Sequence, residues 1–123
     1  MKLMHIIIDA TYEGIPLSGG ALLALAPELT RLAGMRPMGA PIVCGETHPW
    51  GPSLLVPWQE SHASIHYMGQ HAVSIDLFSC REFDDRGLLV WLWPRLSLRT
   101  LLAYRLLWRL SSLPEGAPLP VAG

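Results

Sequence analysis

The chain has 123 residues, half of them hydrophobic and 15% charged, with a formal net charge of −1. That length fits one small domain, the apolar content excludes a disordered chain, and the charge balance excludes a strongly basic nucleic-acid binder. In chain order, residues 3–9 read as a strand rich in β-branched side chains. Gly14, Pro16, Gly19 and Gly20 form a loop, and Ser18 caps a helix over residues 20–32, with Leu22, Leu25, Leu29 and Leu32 on its inner face and a kink at Pro27. After a loop over 34–40 come a short strand at 41–44, a loop over 45–52 and a strand at 53–58. Residues 61–67 alternate, with His62, Ser64 and His66 on one face and Ala63 and Ile65 on the other. Met68-Gly69-Gln70 is a hairpin turn, and residues 71–80 alternate again. Residues 87–93 fit a strand or a helix. Pro94 opens a helix reaching about residue 110, with Leu96, Ala103, Leu107 and Leu110 as its apolar stripe and Arg95, Arg99, Arg105 and Arg109 opposite.

This order predicts an α+β two-layer sandwich, an antiparallel sheet with helices packed on one face. A single domain spans residues 1–112, and 113–123 is a Pro-rich tail. The arginine-faced helix has leucines among its charges, so it packs on the sheet in preference to lying on a membrane surface. Its lack of a fully polar side, with the low charged fraction of the chain, points to a buried subunit interface.

Cofactor and compartment are also constrained. Eight arginines stand against a single lysine, Lys2, at the N-terminus. A pyridoxal phosphate enzyme needs an internal lysine to hold its cofactor, so that chemistry is disfavoured. The two cysteines, Cys44 and Cys80, are too few for a disulfide framework. Zinc is disfavoured, because His71 lies beyond the turn from His62 and His66, and the Cys44–His48 pair has no second pair at ligand spacing. The Ile6-Ile7-Ile8 run ends at Asp9, too soon for a signal-peptide core. The apolar stretch 88–110 carries four arginines and Pro94, which makes it a costly spanning segment. The chain reads as soluble and cytoplasmic, with no membrane or nucleic-acid partner.

The most informative stretch is Glu60-Ser61-His62-Ala63-Ser64-Ile65-His66, followed by Ser74-Ile75-Asp76-Leu77-Phe78-Ser79-Cys80. It resembles the prokaryotic S-adenosylmethionine decarboxylases, small proenzymes that make their own pyruvoyl cofactor. That family reads Glu-Ser-His-x-Ser/Thr-Ile-His and then Asp-hydrophobic-Phe-Thr-Cys, with a further serine eight residues before the cleavage serine, where Ser53 stands. The opening His5-Ile6-Ile7-Ile8-Asp9 is similar to the family's first strand.

The resemblance implies self-cleavage between Glu60 and Ser61, giving chains 1–60 and 61–123. The Ser61 hydroxyl attacks the Glu60 carbonyl, the resulting ester is opened by β-elimination, and Ser61 becomes the pyruvoyl group. That group forms a Schiff base with the substrate amine and draws in the electrons released by decarboxylation. The resemblance gives processing roles to Ser53 and His66, and the return of a proton to the α-carbon to Cys80. On its own Cys80 would read as a structural thiol.

Substrate contacts are less well matched. Where the family has Thr-Trp-Pro-Glu, this chain has Tyr67-Met68-Gly69-Gln70, with the spacing to the cysteine one residue shorter. The family glutamate is associated with the substrate ribose; Gln70 can hydrogen-bond but carries no charge. Trp50 or Tyr67 could stack on a base, although Trp50 fits a packed side chain equally. Related pyruvoyl enzymes act on ornithine or arginine, for which Asp9 or Glu46 could supply a distal carboxylate. A non-catalytic homologue that regulates a true decarboxylase is a further reading. Asp76 receives no role.

Strand geometry constrains the assembly. Ser61 and His66 are five steps apart, roughly 16 Å at about 3.3 Å per residue, so one straight strand cannot bring both to one carbonyl. The hairpin returns Cys80 to the Ser61 end. The simplest solution is a homodimer with composite active sites, Ser61 and Cys80 from one subunit and Ser53 and His66 from the other.

Overall fold

The computed structural model of the chain describes residues 2–111. Six strands, β1 (Leu3–Tyr12), β2 (Ile42–Cys44), β3 (Ser53–Trp58), β4 (Ser61–Met68), β5 (Ala72–Ser79) and β6 (Leu98–Arg109), form one sheet in the order β2-β3-β4-β5-β1-β6. Every neighbouring pair is antiparallel. The helices are α1 (Gly19–Leu23), α2 (Ala26–Leu32) and α3 (Asp85–Arg95). This is the expected α+β architecture. The expected tail at 113–123 lies outside the described residues.

Alternation along the strands builds the core. Ile6, Ile8 and Ala10 of β1, Leu54, Val56 and Trp58 of β3, Ile65 of β4, and Val73, Ile75 and Leu77 of β5 are buried with Leu22 and Leu29 of α1 and α2 and Leu88 and Leu92 of α3. The intervening residues project from the other face. It carries His5, Asp9, Ser53, His66, Ser74 and Asp76, none of them in the core cluster.

The predicted helix over 20–32 is two helices. Ser18 caps α1, its hydroxyl accepting from the Ala21 N–H at 3.2 Å. Pro27 sits in the first turn of α2. A proline ring clashes with the carbonyl four residues back and offers no N–H, and the residue four back, Leu23, is where α1 ends.

The C-terminal third departs further from expectation. Residues 87–93 are helical, inside α3, which is capped by the Asp84 carboxylate accepting from the Gly87 N–H at 3.0 Å. Pro94 lies in the last turn of that helix and does not open one. Ser97 has φ +52°, which turns the chain back, and residues 98–109 pair with β1 from Leu3↔Arg109 to Tyr12↔Leu98. Leucines at 98, 101, 102, 106 and 107 fall at helical spacing, while 98, 102 and 106 also share one face of a strand, so the run satisfies both periods. The edge of β1 decides between them, because its N–H and C=O groups need partners. The four arginines consequently do not share a helix face. Arg95 covers the Trp91 ring, Arg99 pairs with Glu13 at 2.8 Å, and Arg109 covers Phe78.

One buried link ties α2 to the end of β3. The Trp58 indole N–H donates to the Thr30 hydroxyl at 2.9 Å, and that hydroxyl donates to the Ala26 carbonyl at 2.7 Å. Thr30→Val keeps the shape and leaves the buried indole N–H without an acceptor, a loss of about 1–3 kcal/mol. Urea unfolding should show that loss for Thr30→Val and recover most of it in Thr30→Ser.

Candidate active site

A two-residue turn, Gln59-Glu60, joins β3 to β4, and across it Trp58 pairs with Ser61. Glu60 has φ +60°, a left-handed conformation that costs a residue with a Cβ about 1–2 kcal/mol. The next residue is Ser61, whose Oγ is buried with no hydrogen-bond partner among the described residues. The sequence-selected serine is therefore held beside a strained backbone unit with its hydroxyl uncommitted.

Cys80 follows the end of β5. The pairing His62↔Phe78 carries β5 back along β4, and the Cys80 Sγ lies 3.9 Å from the Gln59 carbonyl oxygen. The turn, Cys80 and Arg81, and the segment Gly34-Met35-Arg36 after α2 line a cleft of about 330 Å³. Glu60, Ser61 and Cys80 are thus brought together at one end of the sheet.

Ser53 and His66 are brought together elsewhere. They are directly opposed in the β3–β4 ladder, and His66 Nδ1 and Ser53 Oγ share a hydrogen bond of 2.8 Å. Their separation from Ser61 is five residues of β4, about 16 Å. Five is odd, so the two side chains also leave the strand on opposite faces. Within one chain the pair cannot reach the Glu60 carbonyl.

Trp50 and Gln70 lie at the His66 end. Trp50 is about half exposed, its backbone N–H donates to His48 Nδ1 at 3.1 Å, and its ring covers Gly69, where a Cβ would meet it at 3.1 Å. Gln70 is exposed in the β4–β5 turn at φ +65°. Tyr67 corrects the sequence expectation. Its position in β4 points it into the core, where it is 4% exposed, edge-on to Tyr12 and accepting from the Leu17 N–H at 3.0 Å. Burial raises its phenol above the ordinary value, and the Leu17 hydrogen bond opposes that in part. A side chain so enclosed offers no stacking surface.

Two further polar contacts cross the open face. His5 pairs with Asp76, to which sequence reasoning gave no role, and the Ser74 hydroxyl donates to Asp9 at 2.8 Å. Phe78 lies between the His5 and His62 rings at 5.5 and 5.6 Å, with the Arg109 guanidinium 4.8 Å from its centroid. Strand alternation gives each residue its face, but these contacts join residues 71 and 65 positions apart, and only the β1–β5 register brings them together. Glu46 sits against Gly19 at the start of α1 and does not line the cleft.

No protein-family model matches the chain, and no curated protein matches it. Among solved structures, the fold is similar to the adenosylmethionine decarboxylase from Aquifex aeolicus VF5, with a TM-score of 0.70 at 16% identity over 96% of this chain and 98% of that one. At that identity the likeness establishes a shared fold. No helix among the described residues is long and apolar enough to cross a membrane.

Tyr67 and Trp50 should separate experimentally. Tyr67→Phe removes the acceptor for the Leu17 N–H and should cost about 1 kcal/mol of unfolding free energy. Trp50→Ala, at an exposed site, should change it by less than about 0.5 kcal/mol. Urea titrations of both variants check this.

Proposed function

We propose that this chain is a proenzyme that cleaves itself between Glu60 and Ser61 to become a pyruvoyl-dependent decarboxylase, acting on S-adenosylmethionine and so providing the aminopropyl donor of spermidine synthesis. The observation that carries this reading is the Ser61 hydroxyl, buried and without a partner among the described residues, beside a residue held at φ +60°. A buried hydroxyl without a partner costs about 1–3 kcal/mol, a cost relieved when its oxygen bonds to the Glu60 carbon. The family resemblance of residues 60–66 and 74–80 and the fold shared with a decarboxylase support the same conclusion.

In this reading Ser61 Oγ attacks the Glu60 carbonyl carbon and gives up its proton, the C–N bond breaks, and the Ser61 nitrogen takes a proton. A base removes the Ser61 α-proton, the Cβ–O bond breaks, and Glu60 leaves as a carboxylate. Addition of water and loss of ammonia then give the pyruvoyl group, which supplies the electron sink for decarboxylation. Cys80, in the same cleft, returns a proton to the substrate α-carbon.

Ser53 and His66 take part from a second copy. A two-fold dimer that brings the partner's His66 to Ser61 makes two composite sites. The same approach carries the partner's Trp50 and Gln70 toward the cleft, Trp50 to stack on adenine and Gln70 to hydrogen-bond a ribose hydroxyl. The burial of Tyr67 removes one aromatic surface and Gln70 is uncharged, and these two observations favour a second reading, a decarboxylase of ornithine or arginine made by the same processing. A non-catalytic homologue would stay uncleaved.

Intact-mass analysis tests the proposal. Purified protein should give fragments 1–60 and 61–123, the second blocked to Edman sequencing, and Ser61→Ala should remain whole. A wild-type chain that stays whole after long incubation sinks the enzyme reading. Co-expression of Ser61→Ala with His66→Ala should yield cleaved His66→Ala chains beyond what that variant shows alone; none, despite proven heterodimers, would place the site within one chain.

Turnover separates the remaining roles. Cys80→Ala should still process and lose about 10²–10⁴-fold in turnover, read as labelled CO₂ released from carboxyl-labelled S-adenosylmethionine. Release from ornithine or arginine alone would reverse the substrate ranking and leave the pyruvoyl mechanism standing.

A further inference from the structure

We infer that Arg36 and Arg81 form a carboxylate-binding site whose ligand is the new C-terminus that cleavage creates at Glu60; the inference rests on the proposed scission of Glu60–Ser61. Both arginines line the cleft that holds Glu60 and Cys80. Three ion pairs occur among the described residues, His5–Asp76, Arg31–Glu28 and Arg99–Glu13, and neither arginine nor Glu60 belongs to any of them. In the intact chain both guanidiniums are thus without an ion-pair partner among the described residues, in a cleft lined by one carboxylate side chain.

Cleavage changes that balance by one charge, at one residue. Release of Glu60 from Ser61 converts a neutral peptide carbonyl into an α-carboxylate, so Glu60 then carries two carboxylates. The cleft then holds two carboxylates for its two arginines, each able to accept a forked, charge-assisted pair of hydrogen bonds.

The surrounding backbone keeps Glu60 beside the segments that carry the two arginines. The Gln59 N–H donates to the Arg36 carbonyl at 2.9 Å, so the end of β3 stays tied to the segment that carries Arg36. Only Glu60 lies beyond that tie, and one residue reaches no more than about 3.6 Å. On the other wall the Arg81 N–H donates to the Ser79 hydroxyl at 3.2 Å, and that hydroxyl donates back to the Arg81 carbonyl at 2.6 Å. The Arg81 stem passes over Gly34, with Cδ 3.7 Å from where a Cβ would stand. The same scission frees Glu60 from the turn that holds it at φ +60°. Drawn onto the arginines, the new carboxylate leaves the position it held against Ser61. The new end of chain 61–123 is then open to substrate, and the cleaved state is held more firmly than the intact one.

The test compares thermal unfolding in two backgrounds, the cleaved wild-type protein and intact Ser61→Ala, each with and without Arg36→Gln plus Arg81→Gln. The arginines should matter only after cleavage. Tm should fall by about 4 °C, the shift of roughly 1 kcal/mol for a domain of this size, in the cleaved protein, and by less than about 1 °C in Ser61→Ala. Arg36→Lys plus Arg81→Lys should restore part of the loss, and added salt should shrink it. Equal shifts in both backgrounds, or none in either, would overturn the inference. So would a raised KM with the stability of the cleaved protein unchanged, which would assign the arginines to the substrate. Mass spectra of the same samples keep the premise separate: an uncleaved wild-type chain removes the processing reading itself.

Discussion

The connection between β3 and β4 has only two residues, and the arrangement of the candidate site follows from that shortness. Of its two residues, Glu60 takes up positive φ as the strands reverse. The turn also sets the register. With Trp58 opposite Ser61, Ser53 is necessarily opposite His66, and the two form their hydrogen bond without any further adjustment. The turn is anchored on both sides, by the Trp58 indole bonded to Thr30 of α2 and by the Gln59 N–H bonded to Arg36. Strain at Glu60 persists because these contacts leave the turn nowhere to relax.

The same register divides the candidate residues between two ends of the sheet. Ser61, Cys80 and the cleft occupy one end of the sheet; Ser53, His66, Trp50 and Gln70 gather toward the other. A rigid strand can neither shorten by the ~16 Å between them nor turn His66 to the face of Ser61. Two copies related by a two-fold would bring unlike ends together and repeat the arrangement twice. This is the physical content of the proposed composite site.

The open face of the sheet holds a belt of polar pairs, His5–Asp76, Ser74–Asp9 and Ser53–His66, instead of the exposed lysines and glutamates usual on a solvated sheet. Each pair spans neighbouring strands, so each also pins the register of the sheet. Phe78, bracketed by two imidazoles and the Arg109 guanidinium, links the belt to the β6 edge.

Most strands were legible in the sequence, because alternation with a period of two is read directly from side chains, and the turn residues mark where each strand ends. The short motifs were equally legible, so Ser61, Ser53, His66 and Cys80 were singled out, and the strand rise alone separated Ser61 from His66. The C-terminal third was not. Leucines spaced to suit either a helix or a strand carry no decisive period, and what made residues 98–109 a strand was the unpaired edge of β1, a hydrogen-bonding demand from nearly a hundred residues away. Tyr67 is a related case: its strand alternation places it with Ala63 and Ile65, but only packing against Tyr12 and Leu17 commits its polar tip inside. Local chemistry and spacing were thus determined by the sequence by itself, since they depend on neighbours along the chain. The His5–Asp76 pair, the unpartnered state of the Ser61 hydroxyl and the two arginines around Glu60 were decided by tertiary structure alone, because each depends on which distant segment the folded sheet brings alongside.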